Sequence, residues 1–156
     1  MHTAKIREAT LNDLPVLRAF EQGIIEAERP FEPQLKSEQI HYYDLETLIT
    51  AEHVHLVVVE LDGIAIGSGY VRIEKAKPYL KYNFKGYVGF IYVVAEQRGK
   101  GIVKLILSAL EEWSSMQGVE ALHLDVFSQN ASAIRAYEKF GFKANLIDMR
   151  KMINVE

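Results

Sequence analysis

One junction in the sequence constrains the fold of this chain more than any other. The β-branched and aromatic run from Gly86 to Ala95 predicts a strand, and the stretch from Gly99 to Gln117 carries apolar residues at helical spacing. Apolar side chains then recur at every second position of segment 121–127, which is the period of a strand. A strand, a helix and a strand in this order predict a parallel crossover, and such connections are almost always right-handed.

The other segments predict an α/β fold built on a mixed sheet. Further strands are predicted at 4–9, 53–61, 64–73 and 142–153, and further helices after Thr10, Ser37 and Asn130. Asp62-Gly63 joins two of these strands as a hairpin turn of the kind that needs positive φ. The resulting order is an antiparallel meander that becomes parallel at the crossover, with helices on both faces of the sheet.

Composition favours one globular domain over residues 1–156. Apolar residues make up 49% of the chain, which is ordinary for a packed core, and no linker or low-complexity segment divides it. The chain has no cysteine, which excludes a disulfide framework, a cysteine metal site and a thiol nucleophile. His53 and His55 have no carboxylate at a matching metal-ligand spacing, so no metal site is predicted.

Charge and hydropathy argue against two classes of binding partner, nucleic acids and membranes. The formal net charge of −3 argues against nucleic acid, because proteins that follow the phosphate backbone carry a basic surplus. The longest apolar run, Val88 to Ala95, is too short to span a bilayer, and the N-terminus lacks the apolar core of a signal peptide. We therefore expect a soluble, cytoplasmic protein that does not act on a membrane.

The residues that carry chemistry lie in the turn between the first crossover strand and its helix. Gly99 and Gly101 let the backbone approach a ligand closely, and the helix start adds outward-pointing amides and a partial positive charge. Arg98 and Lys100 add full charges to an otherwise acidic protein. Together these features indicate a pyrophosphate cradle, although a plain turn before a well-capped helix has the same pattern. The spacing matches neither a P-loop nor a dinucleotide-binding fingerprint.

Two blocks of sequence resemble a known family. Val93 to Ile102 resembles the acetyl-CoA-binding motif of the GNAT superfamily of N-acetyltransferases, and Asn130 to Phe142 resembles the second half of the same motif set. The two blocks lie at the family's spacing, separated by one amphipathic helix and one strand. The chain departs from the family at Glu96, because the family's pattern begins there with glutamine or arginine.

The resemblance implies a set of contacts with acetyl-CoA. It implies that backbone groups of Tyr92, Val93 and Val94 pair with the pantetheine arm, as the edge of a sheet pairs with an added strand. The implied contacts with the pyrophosphate are amides of Arg98, Gly99, Lys100, Gly101 and Ile102. Asn130 would reach the cofactor arm with its side-chain amide, or would serve only as a helix N-cap.

Tyr137 matches the family's usual general acid. The resemblance implies that its phenol, with an ordinary pKa of about 10, donates a proton to the departing CoA thiolate. A structural role is the alternative, because Tyr137 shares one helix side with Ala133, Ile134 and Phe140.

No single residue stands out as the general base. An alkyl amine is protonated at neutral pH, so a group must accept its proton before attack. Many family members have a glutamate where this chain has Phe90. Asp125 is the leading replacement, because it matches an acidic position that serves as a base in some relatives; the alternative is a solvated carboxylate at a strand end. More remote candidates, acting directly or through water, are Glu26, Glu28 and Glu74.

The resemblance implies an enzyme that transfers an acetyl group from acetyl-CoA to a primary amine. Direct attack in a ternary complex is expected, because no cysteine is present to carry an acyl group. The expected acceptor is a small-molecule amine, with a protein N-terminus or lysine as the alternative. A module that only senses acyl-CoA is the non-enzymatic alternative, and a homodimer is a further option.

Overall fold

A computed structural model describes residues 3–154 of the chain. Its strands are β1 (Lys5–Glu8), β2 (Val54–Leu61), β3 (Ile64–Lys75), β4 (Phe84–Val93) and β5 (Ala121–His123). Its α-helices are α1 (Leu14–Glu28), α2 (Leu45–Thr50), α3 (Ile102–Met116) and α4 (Ala131–Phe140). Short 3-10 helices, Leu11–Asp13 and Ala95–Gln97, precede α1 and α3.

The strands form one sheet in the order β1-β2-β3-β4-β5. All neighbouring pairs are antiparallel except β4 and β5, which run parallel because α3 crosses over between them. The predicted hairpin between β2 and β3 is present, since Asp62 and Gly63 have φ of 54° and 77°. The predicted fold class, a mixed sheet that passes from an antiparallel meander to a parallel crossover, is confirmed.

Helices cover both faces of the sheet because alternate strand residues point to opposite faces. Helices α1 and α2 pack over Leu56, Val58, Tyr70 and Phe90. Helix α3 packs on the other face, over Val57, Val59, Val71 and Val88. Strand β2 is therefore an almost continuous apolar run, since both of its faces are covered. No helix within residues 3–154 is long and apolar enough to cross a membrane.

The helix predicted after Ser37 begins only at Leu45, so that prediction is wrong for its first turns. The buried carboxylate of Glu21 holds the preceding backbone in a non-helical path, because its Oε2 accepts the amides of Tyr42 and Tyr43, each at 2.8 Å. The backbone N–H groups of Tyr42 and Tyr43 therefore have hydrogen-bond acceptors without forming a helix.

Two predicted strands near the C-terminus are also corrected. Strand β5 covers three residues rather than 121–127, because its ladder with β4 stops at the Tyr87–His123 pair. The strand predicted at 142–153 does not form in the described part of the chain. Alternation satisfies the period of a strand, but a strand also needs a backbone ladder, and β5, the last strand of the described sheet, makes its ladder with β4 only.

Candidate active site

Strand β4 contains a β-bulge near the centre of the sheet. The β3–β4 ladder pairs Ser68 with Tyr92 and next pairs Tyr70 with Gly89. Two residues of β4 therefore lie between these pairs, but only one residue of β3 does. Phe90, inside the bulge, has a φ of 57°, a left-handed value that is unusual for a bulky residue. Bulges bend the strand that carries them and are frequent beside active sites, so this distortion marks a candidate site.

Beyond the bulge, β4 separates from β5. The parallel ladder ends at Tyr87, so the edge of β4 that faces β5 has no strand partner along 88–93 in the described sheet. On the opposite edge, the Val94 N–H donates to the Ile66 carbonyl of β3 at 2.9 Å. Because successive residues of a strand point to alternate edges, the backbone groups of Val93 face the open side. The split in the sheet therefore leaves the Val93 N–H without a strand partner in the described sheet, whereas the Val93 carbonyl accepts a bond from the Arg98 side chain.

The Ser68 hydroxyl holds the bulge in shape. It is buried and donates to the Phe90 carbonyl at 3.0 Å. Replacing Ser68 with alanine is expected to lower the free energy of unfolding by about 1–3 kcal/mol, the usual effect of an unsatisfied buried acceptor. Denaturant unfolding measures the loss, and Ser108→Ala on the exposed side of α3 is the matched control. A loss no larger than that of the control would contradict this role.

The turn after β4 is shaped to receive an anion. Gly99 and Gly101 have φ of 74° and 82°, and a Cβ built on either would meet no atom within 4 Å. Helix α3 begins directly afterwards at Ile102, and the first amides of a helix have no partner inside it. These amides and the helix dipole favour negative charge beside the open turn. The residues present therefore fit a pyrophosphate group.

The Arg98 side chain fixes the end of β4. Its Nε donates to the Val93 carbonyl at 3.0 Å, and its guanidinium carbon lies 5.9 Å from the centre of the Tyr92 ring. That ring packs against Phe20 of α1 with centroids 4.9 Å apart. Arg98 is thus partly engaged in holding the strand, and Lys100 donates to the Gln97 side chain at 3.3 Å; both residues are exposed at the turn.

Helix α4 carries two of the predicted site residues. Asn130 is its N-cap, because the Asn130 Oδ1 accepts the Ala133 N–H at 3.3 Å; the side-chain nitrogen takes no part in this bond. Tyr137 is half-buried, and its ring meets Phe142 edge-on at a centroid distance of 6.0 Å. Burial, and after it the charge of Glu28, raises the pKa of Tyr137 to about 12. The phenol is therefore protonated at neutral pH.

Glu28 is the predicted base candidate that interacts with Tyr137. It is half-buried at the end of α1, whereas Glu26 on the same helix is exposed. Burial raises the pKa of the Glu28 carboxyl group, and a hydrogen-bonding interaction with the Tyr42 hydroxyl opposes part of that rise. After burial, the charge of Glu28 is a further cause of the raised pKa values of Tyr42 and Tyr43. The Glu28 carboxylate is thus close enough to three phenols, those of Tyr42, Tyr43 and Tyr137, to raise their pKa values.

Glu21 is a residue of this region that sequence reasoning missed. The residue is 1% exposed, and its carboxylate accepts the backbone amides of Tyr42 and Tyr43 and lies 3.1 Å from the His41 Nδ1. Tyr43 in turn packs against Phe90 with ring centroids 4.8 Å apart. Glu21 therefore positions the segment before α2 against the bulge. The available signal was an acidic residue on the apolar stripe of α1.

Asp125 belongs to a polar cluster with residues of β3 and β4. It is exposed, and its Oδ2 accepts the Tyr87 hydroxyl at 2.9 Å. The Arg72 guanidinium carbon lies 5.4 Å from the centre of the Tyr87 ring, and Arg72 pairs with Glu74 at 2.8 Å. Asp125 and Glu74, two of the predicted base candidates, are thus engaged with a tyrosine and an arginine.

The described residues offer no evident metal centre. No group of three His, Cys, Asp or Glu side chains within residues 3–154 is arranged to hold a metal ion. His55 instead stacks on Trp113, with ring centroids 5.1 Å apart and planes 8° from parallel. Burial against this neighbour lowers the pKa of His55.

Comparison with known proteins decides the family. A model of the Acetyltransferase (GNAT) family matches residues 21–142, which include the bulged strand, the glycine turn and α4. The chain belongs to the GNAT acetyltransferase family. The match contains both blocks on which the resemblance rested, so the family predicted from the sequence is confirmed.

Several relatives of the GNAT chain are named N-acetyltransferases. The uncharacterized N-acetyltransferase YycN of Bacillus subtilis is 29% identical over 128 residues, 80% of this chain and 78% of that protein. YdgE of the same organism, also named an uncharacterized N-acetyltransferase, is 38% identical over 72 residues, 46% of this chain but only 41% of that protein. An aminoglycoside N(6′)-acetyltransferase type 1 of Salmonella typhimurium is 24% identical over 66% of this chain and 72% of that protein.

Solved structures agree on the fold. A mutant of a Bacillus halodurans protein has a TM-score of 0.86 at 19% identity, covering 96% of this chain and 99% of that one. A predicted acetyltransferase of Clostridium acetobutylicum, solved with acetyl-CoA, has a TM-score of 0.74 at 17% identity, covering 95% and 96% of the two chains. At such identities the likeness establishes the fold, and activity has to be argued from the site.

Proposed function

We propose that this GNAT protein transfers an acetyl group from acetyl-CoA to a primary amine by direct attack in a ternary complex. The observation that carries the proposal is the split between β4 and β5, which opens towards the glycine turn at the start of α3. This arrangement offers a backbone edge for an extended arm and helix amides for phosphates. The acetyl-CoA in the Clostridium acetobutylicum structure of the same fold supports the choice of ligand.

Each part of the split has a proposed binding role. The pantetheine arm lies along the open edge at Val93, because Tyr92 faces β3 and the Val94 N–H and carbonyl already bond to Ile66 and Gln97. Amides of residues 99–102 hold the pyrophosphate, with Lys100 adding a positive charge. The Asn130 side-chain nitrogen, which its cap does not use, donates to the arm. A backbone N–H on the open edge at Val93 polarises the thioester carbonyl. Acetyl-CoA itself supplies the acetyl group as a thioester.

We place the proton acceptor for the amine at Glu28, with Asp125 as the alternative. Burial raises the pKa of Glu28, which moves the carboxylate towards the range where a general base works at neutral pH. Its charge also acts on Tyr137, so the proposed acceptor and donor lie in one electrostatic environment. Asp125 is exposed and accepts the Tyr87 hydroxyl, an arrangement that suits a relay through that phenol.

Tyr137 acts in this proposal as a hydrogen-bond donor to the departing sulfur. The pKa of Tyr137 is about 12 and that of an ordinary thiol roughly 8.5, so complete proton transfer is uphill by about 5 kcal/mol. A neutral phenol still donates a hydrogen bond to a developing thiolate, and hydrogen bonds to charged groups contribute about 1.5–3 kcal/mol. This role refines the general acid that the family resemblance implies.

Aromatic residues lie near Glu28, since the Phe31 N–H donates to the Glu28 carbonyl and Tyr42 interacts with the Glu28 carboxylate. Phe31 and Phe127 stack with centroids 6.4 Å apart, and Tyr42 and Tyr43 meet edge to face at 5.8 Å. Rings beside a carboxylate suit an ammonium group, through cation–π attraction and through charge. The relative named an aminoglycoside acetyltransferase supports an amine on a small molecule; an amine of a peptide or protein is the alternative.

Thermal denaturation with acetyl-CoA tests the binding half of the proposal. At about 100 times its Kd, a ligand that binds only the folded state stabilises it by about 2.7 kcal/mol. For a chain of this size the Tm should rise by roughly 5–10 °C. Gly99→Glu should abolish the rise by placing bulk and negative charge in the turn. Gly63→Glu controls for backbone strain, because its φ of 77° is close to the 74° of Gly99. No rise for the wild type at saturation would contradict the proposal.

A further inference from the structure

The connection between β3 and β4 concentrates positive charge in an acidic protein. We call residues 75–85 the lysine loop, because they include four lysines and no acidic residue. The rest of the chain therefore has 14 basic and 21 acidic residues, a formal net charge of −7. A local surface of opposite sign to the rest of a protein attracts ligands of one charge, so the lysine loop favours an anionic partner.

Three of the four lysines are available to such a partner. Lys85 lies 3.9 Å from the Glu74 carboxylate and belongs to the polar cluster of β3 and β4. Lys75, Lys77 and Lys81 are exposed, and no carboxylate in the described part of the chain pairs with any of them. At physiological salt these charges act over about 8 Å, which is enough to steer an approaching anion.

The lysine loop is held in shape by its own hydrogen bonds. The Ala76 N–H donates to the Asn83 carbonyl at 2.8 Å, which closes the base of the loop beyond the strand ladder. The Tyr82 hydroxyl is hydrogen-bonded to the His123 Nε2 of β5 at 2.6 Å, and the two rings meet edge-on. A surface that is already ordered loses less conformational entropy when a partner binds.

The lysine loop also encloses a hollow with aromatic walls. Its volume is about 330 Å³, and its lining includes Pro78, Tyr82 and Phe84 together with Lys75 and Lys77. Phe84 is 46% exposed, so much of its ring has no apolar neighbour in the single chain. Pockets that bind ligands combine apolar walls with a few polar groups, and aromatic rings are enriched at protein interfaces. The hollow therefore suits one large apolar side chain that has negative charge around it.

We propose that the lysine loop binds an acidic segment of a partner protein, with carboxylates against Lys75, Lys77 and Lys81 and one large apolar side chain in the hollow. A planar membrane would contact the loop tip, where Tyr79 is 81% exposed, but would not fill the hollow. The net charge of −7 on the rest of the chain opposes a long polyanion such as a nucleic acid more than a short acidic segment. This inference does not depend on the proposed acetyl transfer.

Fluorescence anisotropy of a labelled peptide with the full-length protein tests the charge requirement. The probe is a short peptide of glutamates with one central phenylalanine, and it should bind saturably and more weakly as salt rises. Lys77→Glu combined with Lys81→Glu should raise the Kd by about 10-fold or more, because two attractions become repulsions. Lys5→Glu combined with Lys143→Glu is the control, since both residues are exposed and the net charge is the same. No saturable binding, or equal losses in the two double variants, would overturn the proposal.

Substitutions in the peptide and in the hollow test the apolar contact. Alanine in place of the peptide phenylalanine should raise the Kd for the wild-type protein by about 10-fold or more. Phe84→Ala, with an unchanged circular dichroism spectrum, should raise the Kd for the original peptide by at least about 5-fold. Tyr79→Ala is the control, because Tyr79 is exposed but does not line the hollow. An affinity that does not depend on the peptide phenylalanine would overturn the proposal, whatever the behaviour of Phe84→Ala.

Other occupants of the lysine loop give distinct results in parallel measurements. Vesicles with anionic phospholipid and a single-stranded oligonucleotide are titrated under the same conditions. Tighter binding of either than of the peptide, lost in Lys77→Glu combined with Lys81→Glu, would overturn the proposal and assign the loop to a membrane or to nucleic acid. A dimer in light scattering that the same double variant converts to a monomer would assign it to a second copy and overturn the proposal as well.

Discussion

Replacement of Glu28 with glutamine is expected to lower kcat/KM for the amine by about 10²–10⁴, the usual contribution of a general acid or base. Glutamine keeps the length of the side chain and can still accept a hydrogen bond from Tyr42, but it cannot take up the proton. The Kd for acetyl-CoA should not change, because the proposed cofactor contacts lie on β4 and α3. Steady-state kinetics and calorimetric titration measure the two quantities. Glu26→Gln is the control, since Glu26 lies on the same helix and pairs with Arg29 at 2.9 Å.

The effect of pH separates a catalytic role of Glu28 from a structural one. Burial raises the pKa of Glu28, so the folded protein penalises its ionised form. Its contribution to stability is therefore full at low pH, where the group is protonated, and is lost as the pH rises through the folded-state pKa. Glu28→Gln should raise the Tm at neutral pH and flatten the acid limb of the kcat/KM profile. A lower Tm with full activity would assign Glu28 a structural role.

The corresponding substitution of Asp125 tests whether Asp125, rather than Glu28, is the general base. Asp125→Asn removes the charge but keeps an acceptor for the Tyr87 hydroxyl, so the local contact at 2.9 Å can persist. With Glu28 as the base, this variant should retain most of its kcat/KM. The loss of about 10²–10⁴ in Asp125→Asn, together with near-full activity of Glu28→Gln, would move the role to Asp125.

Tyr137→Phe is expected to lower kcat by about 10- to 150-fold, which corresponds to a hydrogen bond to a developing charge. The ring and its contact with Phe142 remain, so stability and the Kd for acetyl-CoA should change little. An acyl donor with a more acidic leaving thiol should reduce the loss, because that thiolate needs less stabilisation. Tyr79→Phe, at a residue 81% exposed, is the control. Wild-type turnover of Tyr137→Phe, with chemistry rate-limiting, would show that the phenol serves packing alone.

The crossover and its glycine turn could be predicted because local rules decide them. Helical spacing after Gly99 and strand alternation before it specify two elements, and two glycines at positive φ allow the tight link between them. The hairpin at Asp62-Gly63 follows from the same conformational preference. These features are properties of short segments, and distant contacts did not alter them.

The bulge and the carboxylates of α1 could not be predicted because distant residues determine them. Phe90 is an aromatic residue of the kind that favours regular strands, but it lies in the register shift between β3 and β4, where the buried Ser68 hydroxyl donates to its carbonyl. Glu21 lies one turn after Leu17 on an apolar stripe, but its partner amides are about 20 residues further along the chain. Glu28 gains its raised pKa only when the folded chain buries it.

The strand predicted at 142–153 fails for a related reason. Its alternating residues satisfy the local requirement for a strand, but a strand also needs backbone pairing with a neighbour, and alternation along one segment does not determine that pairing.

The most direct test of the proposed function is the release of free thiol from acetyl-CoA while amines are added. The chain has no cysteine, so the protein contributes no thiol to the measurement. The proposal predicts thiol release that requires an amine, saturates with it and matches the acetylated amine in amount. A panel of aminoglycosides, polyamines, amino acids and peptides then separates small-molecule from peptide acceptors. Folded protein that binds acetyl-CoA but releases no thiol with any amine would contradict the proposal and indicate a module that only senses the ligand.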